Sequence, residues 1–207
     1  MNNSIAKILL SINAVKISLD EPFIWTSKIK SPIYCDIRKT YYYPNVRNVI
    51  KKSFLKIINE EFTDIQVIAA VATGAIGYGS IIADTLNLPL IYVRTKSKEY
   101  GTKATIEGDV PLNKKTLIIE DLISTGLSSF YVFESLKQHG SIPIGLLAVF
   151  TYNFTSENIK KLKENLKIFT LTDFDTLLNA ALEINYFSQN DILHLKNWHI
   201  ITNNSLL

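Results

Sequence analysis

Thr116-Leu117-Ile118-Ile119-Glu120-Asp121-Leu122-Ile123-Ser124-Thr125-Gly126-Leu127-Ser128-Ser129 is the stretch whose reading decides the fold. Thr116–Ile119 is an apolar run short enough for a buried strand, and it delivers two adjacent carboxylates, Glu120 and Asp121, to the strand end. A Ser/Thr/Gly turn then opens a helix from about Ser128 to Gln138, closed by Gly140. Backbone N–H groups at a helix N-terminus, with hydroxyls beside them, suit an anion such as phosphate. Carboxylates next to that turn can hold sugar hydroxyls, so the pair and the turn together suit a ribose 5-phosphate. The same residues can also be a plain strand end and an ordinary helix cap. Two better-known phosphate loops are excluded: there is no GKS or GKT, and Gly74-Ala75-Ile76-Gly77-Tyr78-Gly79 lacks the GxGxxG spacing.

Outward from this stretch, strands and helices alternate. Val67–Ala72 and Leu90–Val93 are apolar runs of strand length, separated by a helix over Tyr78–Leu88 that Pro89 stops. Ile144–Phe150 supplies a further strand. A helix after Ser156, a strand near Ile168 and helices from Asp173 to Trp198 follow. Continuous apolar strands alternating with helices imply an α/β fold, a mainly parallel sheet flanked by helices. Such sheets bind ligands at the carboxyl ends of their strands, which gathers three loops on one edge: Thr73–Gly79, Thr95–Gly108 and Glu120–Ser128. Upstream, residues 1–17 read as an amphipathic helix, Pro22–Tyr43 as short strands and loops, and Asn45–Phe62 as a helix. The predicted organisation is one domain over 1–207, with 1–62 an N-terminal helix and base-side segment and 63–207 the core.

With 47% hydrophobic residues and a net charge of +3, the chain has ample core and no Lys/Arg-rich block, so a nucleic-acid footprint is not indicated. Lys7, Ser11, Asn13 and Lys16 interrupt the N-terminal apolar residues too often for a signal-peptide core or a membrane span. A single cysteine, Cys35, excludes an internal disulfide and fits a cytoplasmic protein. His194 and His199 have no metal-motif context, and no protein metal site is expected.

Ile119-Glu120-Asp121-Leu122-Ile123-Ser124-Thr125-Gly126 resembles the phosphoribosyl pyrophosphate (PRPP) signature of type I phosphoribosyltransferases. Further segments, in the same order, resemble the orotate branch of that family: Ser31–Arg38, Tyr43–Arg47, Val71–Ile76 and Tyr92–Gly108. The resemblance implies a type I phosphoribosyltransferase fold with a small N-terminal substrate-side subdomain. It implies transfer of a phosphoribosyl group from PRPP to orotate, giving orotidine 5′-monophosphate and pyrophosphate in pyrimidine biosynthesis. Carried over residue by residue, PRPP is bound by Arg94, Lys98 and Tyr100, and by Glu120, Asp121, Leu122, Ile123, Ser124, Thr125, Gly126, Leu127 and Ser128. Lys98 and Asp121 are the catalytic candidates, and Ser124 and Tyr34 face orotate. The resemblance also implies Mg²⁺ bound largely through PRPP, and a homodimer whose active sites are shared between subunits.

The family pattern is not met everywhere. Glycine is usual where Lys28 stands, histidine where Tyr100 stands, a small residue where Leu127 stands, and Gly-Asn where Lys103-Ala104 stand. Leu127 either takes a strained left-handed backbone or keeps an ordinary one and points into the sheet–helix core; the second is expected. The alternative functions are a phosphoribosyltransferase for another base and a weakly active or regulatory PRPP-binding relative.

Overall fold

The computed structural model describes residues 2–95 and 105–206. In chain order its elements are α1 (Asn2–Ser11), β1 (Val15–Ile17), β2 (Phe23–Ile24), β3 (Lys30–Ser31), β4 (Ile33–Cys35), a 3₁₀ segment (Ile37–Tyr42), α2 (Pro44–Glu61) and β5 (Val67–Val71). They continue with α3 (Ile76–Leu86), β6 (Leu90–Val93), β7 (Ile106–Glu107), β8 (Lys115–Ile123) and α4 (Leu127–Gln138). The last are β9 (Ile142–Thr151), α5 (Glu157–Asn165), β10 (Lys167–Asp173), α6 (Phe174–Glu183) and α7 (Gln189–Ser205).

The main sheet has the order β10-β9-β8-β5-β6-β7, parallel except for the antiparallel β7. Every residue of β5 is buried, as a strand covered on both faces requires. From the β5–β8 pair the chain winds outward both ways, to β6 on one side and to β9 and β10 on the other. Right-handed crossovers running in opposite directions put α3 and α4 on opposite faces. The carboxyl ends of β5 and β8 therefore flank the switch point of the sheet, where ligands of such folds sit.

Several boundaries differ from those expected. The first helix does not reach Ile17. Asn13 adopts φ 52°, the amide of Ala14 donates to Leu9 O and that of Asn13 to Leu10 O, a left-handed cap that ends α1 and frees Val15–Ile17 to pair with β4. Asn87, at φ 52°, ends α3 in the same way, one turn element before Pro89. Strand β8 continues past Ile119 to Ile123, and the polar stretch after Thr95 contains β7. The final helix runs beyond Trp198 to Ser205.

A roof for the sheet edge comes from the β2–β3 hairpin. Phe23 pairs with Ser31 and Ile24 with Lys30, and the Trp25 amide donates to Ile29 O at 3.0 Å. Trp25 packs on Tyr152 at the end of β9, ring centroids 4.6 Å apart, and edge-on against Trp198 of α7 at 5.7 Å. The Trp198 indole donates to Lys30 O at 3.0 Å, so α7 fastens the hairpin from outside. His199, one residue on, stacks between Phe154 and Phe174 at 4.8 and 4.6 Å, and its role is packing.

The hairpin loop is Thr26-Ser27-Lys28, and the Lys28 amide donates back to Trp25 O at 2.8 Å. Three-residue loops of this type end on a left-handed residue, and Lys28 is there at φ 66°. A glycine takes that conformation without the Cβ clash, so the departure at Lys28 is a strained turn. Lys28→Gly should therefore stabilise the fold by about 0.5–1 kcal/mol. A higher urea midpoint at unchanged slope is the expected result; an unchanged or lower midpoint would remove strain as the account of this position.

Candidate active site

Because β8 runs on to Ile123, Glu120 and Asp121 lie within it rather than beyond its end as the sequence suggested, and both line one cavity. Glu120 is only 3% exposed. Its carboxylate accepts from Ser129 Oγ of α4 at 3.1 Å and from the Asp121 amide at 3.2 Å. Asp121 faces the turn after β5. There Gly74 lies so close that any Cβ on it would overlap the Asp121 carboxyl group. The Leu122 amide donates to Asp121 Oδ1 at 3.0 Å.

Burial, and then the charge of Asp121, push the Glu120 carboxyl well above its ordinary range. Burial also raises Asp121, while hydrogen bonds from Glu120 and from the Leu122 amide, and the Arg38 guanidinium, work in the other direction. Both carboxyls are thus held above their ordinary range, Glu120 the more strongly.

The turn into α4 depends on Gly126, the residue before the helix, at φ 73°. A Cβ there would stand 2.5 Å from Ile159 Cδ1, so both conformation and space require glycine. Ser156 Oγ donates to Thr125 O at 2.6 Å and accepts from the Ile159 amide at 3.2 Å, tying the turn to the cap of α5. The first amides of α4 have no intrahelical acceptor and open toward the cavity. Leu127 keeps the expected ordinary backbone, as the first helical residue with no positive φ, but it is 59% exposed instead of lying in the core.

Two cavities meet at this edge. One, of about 380 Å³, is lined by Tyr34, Asp36, Arg38, Gly74, Asp121 and Ser124, among others. The second, of about 400 Å³, wraps the turn from Leu122 to Ser129, under Thr26 and Ser27 of the hairpin. Of the residues singled out in the sequence, Tyr34, Glu120, Asp121, Leu122, Ser124 and Ser128 line the first, and Leu122 to Ser128 line the second. Arg94 lines neither; it donates to Glu107 Oε1 at 2.9 Å and lies over the Tyr92 ring. Lys98, Tyr100, Lys103 and Ala104 lie outside the described residues.

Two supports were missed in the sequence. Ser156 carries the visible signal of a helix cap. Tyr41 carries none: its hydroxyl donates to Gly74 O at 2.6 Å and accepts from the Tyr78 amide at 3.3 Å. Burial raises the Tyr41 hydroxyl far above its ordinary value, which keeps it a donor. The turn after β5 is thereby clamped from the 3₁₀ segment.

A strand-borne acid, a glycine-opened helix and a clamped turn meet at the switch point of a parallel sheet, and comparison with known proteins agrees. Residues 38–176 match the phosphoribosyl transferase domain family. An orotate phosphoribosyltransferase from Malacoplasma penetrans is 43% identical, over 99% of each chain. One from Porphyromonas gingivalis is 41% identical, over 94% of this chain and 92% of its own. The chain belongs to the orotate phosphoribosyltransferase family. Among solved structures, the orotate phosphoribosyltransferase from Aeropyrum pernix shares the fold, with a TM-score of 0.74 at 23% identity over 89% of this chain and 99% of its own. UMP synthase from Leishmania donovani does so at 0.77 and 22%, over 95% of this chain and 42% of that one.

The buried acid gives a pH signature. Above the ordinary glutamate value of 4.5, unfolded chains lose the Glu120 proton while folded ones keep it. The folded state then binds more protons, so its stability falls as pH rises toward the raised value. Glu120→Gln has no such proton to lose. Its stability advantage over the unsubstituted protein should be small near pH 4.5 and widen toward neutral pH, read from melting temperatures across that range. A constant difference would show that Glu120 ionises normally in the fold.

Proposed function

We propose that the protein transfers the 5-phosphoribosyl group of PRPP to orotate, forming orotidine 5′-monophosphate in de novo pyrimidine synthesis. The observation that carries this is the convergence of Asp121, the Gly74 turn and the Gly126 turn on one sheet edge. The 5′-phosphate meets the amides and hydroxyls of Ser124–Ser128. Asp121 holds the ribose hydroxyls, and the pyrophosphate lies toward the Thr73–Ala75 turn. Orotate enters from the base side, against Ser124 and Tyr34. The bond from ribose C1 to the pyrophosphate oxygen breaks, the bond from C1 to orotate N1 forms, and the N1 proton is released.

Negative charge grows on pyrophosphate as it leaves, so cations held there favour the transition state over the ground state. Lys98, with Arg94, supplies them, reaching the site of the neighbouring subunit in a homodimer. That arrangement suits Arg94, which stands outside both cavities of its own chain. In this reading residues 1–62 serve the base side and 63–207 the PRPP side, in a cytoplasmic enzyme. No described helix is long and apolar enough to cross a membrane.

The donor chemistry fits Mg²⁺, a hard cation commonly held by one or two carboxylates together with substrate phosphates. Asp121 is the carboxylate that would meet it, the remaining ligands coming from PRPP and water. Mg²⁺, when bound, offsets the charge of the pyrophosphate.

Orotate consumption, followed by its ultraviolet absorbance, should require both PRPP and Mg²⁺. Turnover of another base with orotate untouched would overturn the assignment. Asp121→Asn should keep the fold and lower kcat/KM for PRPP by about ten- to hundredfold, the range for losing a charged hydrogen bond worth roughly 1.5–3 kcal/mol. Lys98→Ala should lower kcat more than it weakens PRPP binding. If subunits exchange, mixing these two variants should restore activity through hybrid dimers with one intact site. No recovery despite demonstrated exchange would count against the shared site.

A further inference from the structure

The first cavity is lined by three acidic side chains, Asp36, Glu120 and Asp121, and by a single basic side chain among the described residues, Arg38. An anionic base entering such a site is repelled unless a cation faces it. Arg38 lies on the 3₁₀ segment, immediately after β4 with its Tyr34. Its Nε donates to Asp36 Oδ1 at 2.6 Å, and its Nη2 donates to Tyr34 Oη at 3.1 Å. Two anchors on one guanidinium set the plane of the group. Nη1 makes no hydrogen bond to another described residue, and the side chain remains 54% exposed, so the group can meet a ligand without losing either anchor. Ile24, Trp25 and Tyr152 line the same cavity and offer apolar surface to a flat ring.

We propose that Arg38 receives the carboxylate of orotate and makes the site selective for a carboxylated pyrimidine over a neutral one. The inference rests on the function proposed above and names the group that recognises its base. A guanidinium presents parallel N–H donors whose spacing matches a carboxylate, which a lysine does not reproduce. Asp36 offsets part of the Arg38 charge when no substrate is bound, and it holds Nε so that the terminal nitrogens face outward. Tyr34 has a double part: it lines the base side and steadies Nη2. Asp121 lines the same cavity as Arg38, so a carboxylate held at Arg38 and a ribose held at Asp121 share one space.

The test uses Arg38→Gln and Arg38→Lys in the full-length enzyme, with orotate, PRPP and the neutral 6-carboxamide analogue of orotate as a competitive inhibitor. Arg38→Gln should raise the KM for orotate roughly ten- to hundredfold, the loss expected of a charge-assisted pair. It should leave the KM for PRPP and the Ki of the amide within about threefold of their starting values. Arg38→Lys should fall between. A melting temperature near that of the unsubstituted protein guards against unfolding, and a constant Ki for the amide does so at the site itself. An orotate KM within about threefold in Arg38→Gln would overturn the proposal. So would parallel rises in KM and in the Ki of the amide, because loss of shape affects both ligands alike. An unsubstituted enzyme that turns over a different base and ignores orotate overturns the proposed function as well; normal orotate turnover with an unaffected Arg38→Gln overturns only the role of Arg38.

Discussion

The continuation of β8 to Ile123 is the constraint on which the site depends. Glu120 is buried where Ser129 of α4 donates to it, and Asp121 stands beside Gly74. With the strand continuing to Ile123, both acids are held on paired backbone at a defined place. The pairing of β8 with β5 on one side and β9 on the other fixes that register.

Around Asp121 the remaining parts are positioned by close approach. Gly74 has no side chain because Asp121 occupies the space, and Gly126 has none because Ile159 does. Each glycine turn is held by a hydroxyl from another element, Tyr41 at the Gly74 carbonyl and Ser156 at the Thr125 carbonyl. Preorganised amides and carboxylates stabilise developing charge without having to reorganise during the reaction. The aromatic stack of Trp25, Tyr152 and Trp198 fixes the hairpin over the cavity through the last helix.

Most of the architecture was legible in the sequence, because buried parallel strands are continuous apolar runs and α/β order follows from their alternation. The Glu120–Ser128 stretch was legible as the strand-to-helix turn that lines the cavities, since its residue types are local. The strand end at Ile123 was not, because Glu120-Asp121 reads as polar and only the tertiary burial of Glu120 reveals that the strand goes on. The helix ends at Ser11 and Leu86 rest on asparagines in the left-handed region, a choice that apolar periodicity does not show. Leu127 was misplaced for a related reason: the conformational demand sits on Gly126, which leaves its neighbour free to face solvent. Tyr41 acts across the fold, and no spacing rule connects it to residue 74.

Amide hydrogen exchange on addition of PRPP tests the central claim most directly. If the turns after β5 and β8 cradle the two ends of PRPP, protection should appear in segments 73–76 and 124–129, with little change in α5 and in the outer half of α7. Binding of PRPP, shown independently by calorimetry, without protection in those two segments would contradict the account.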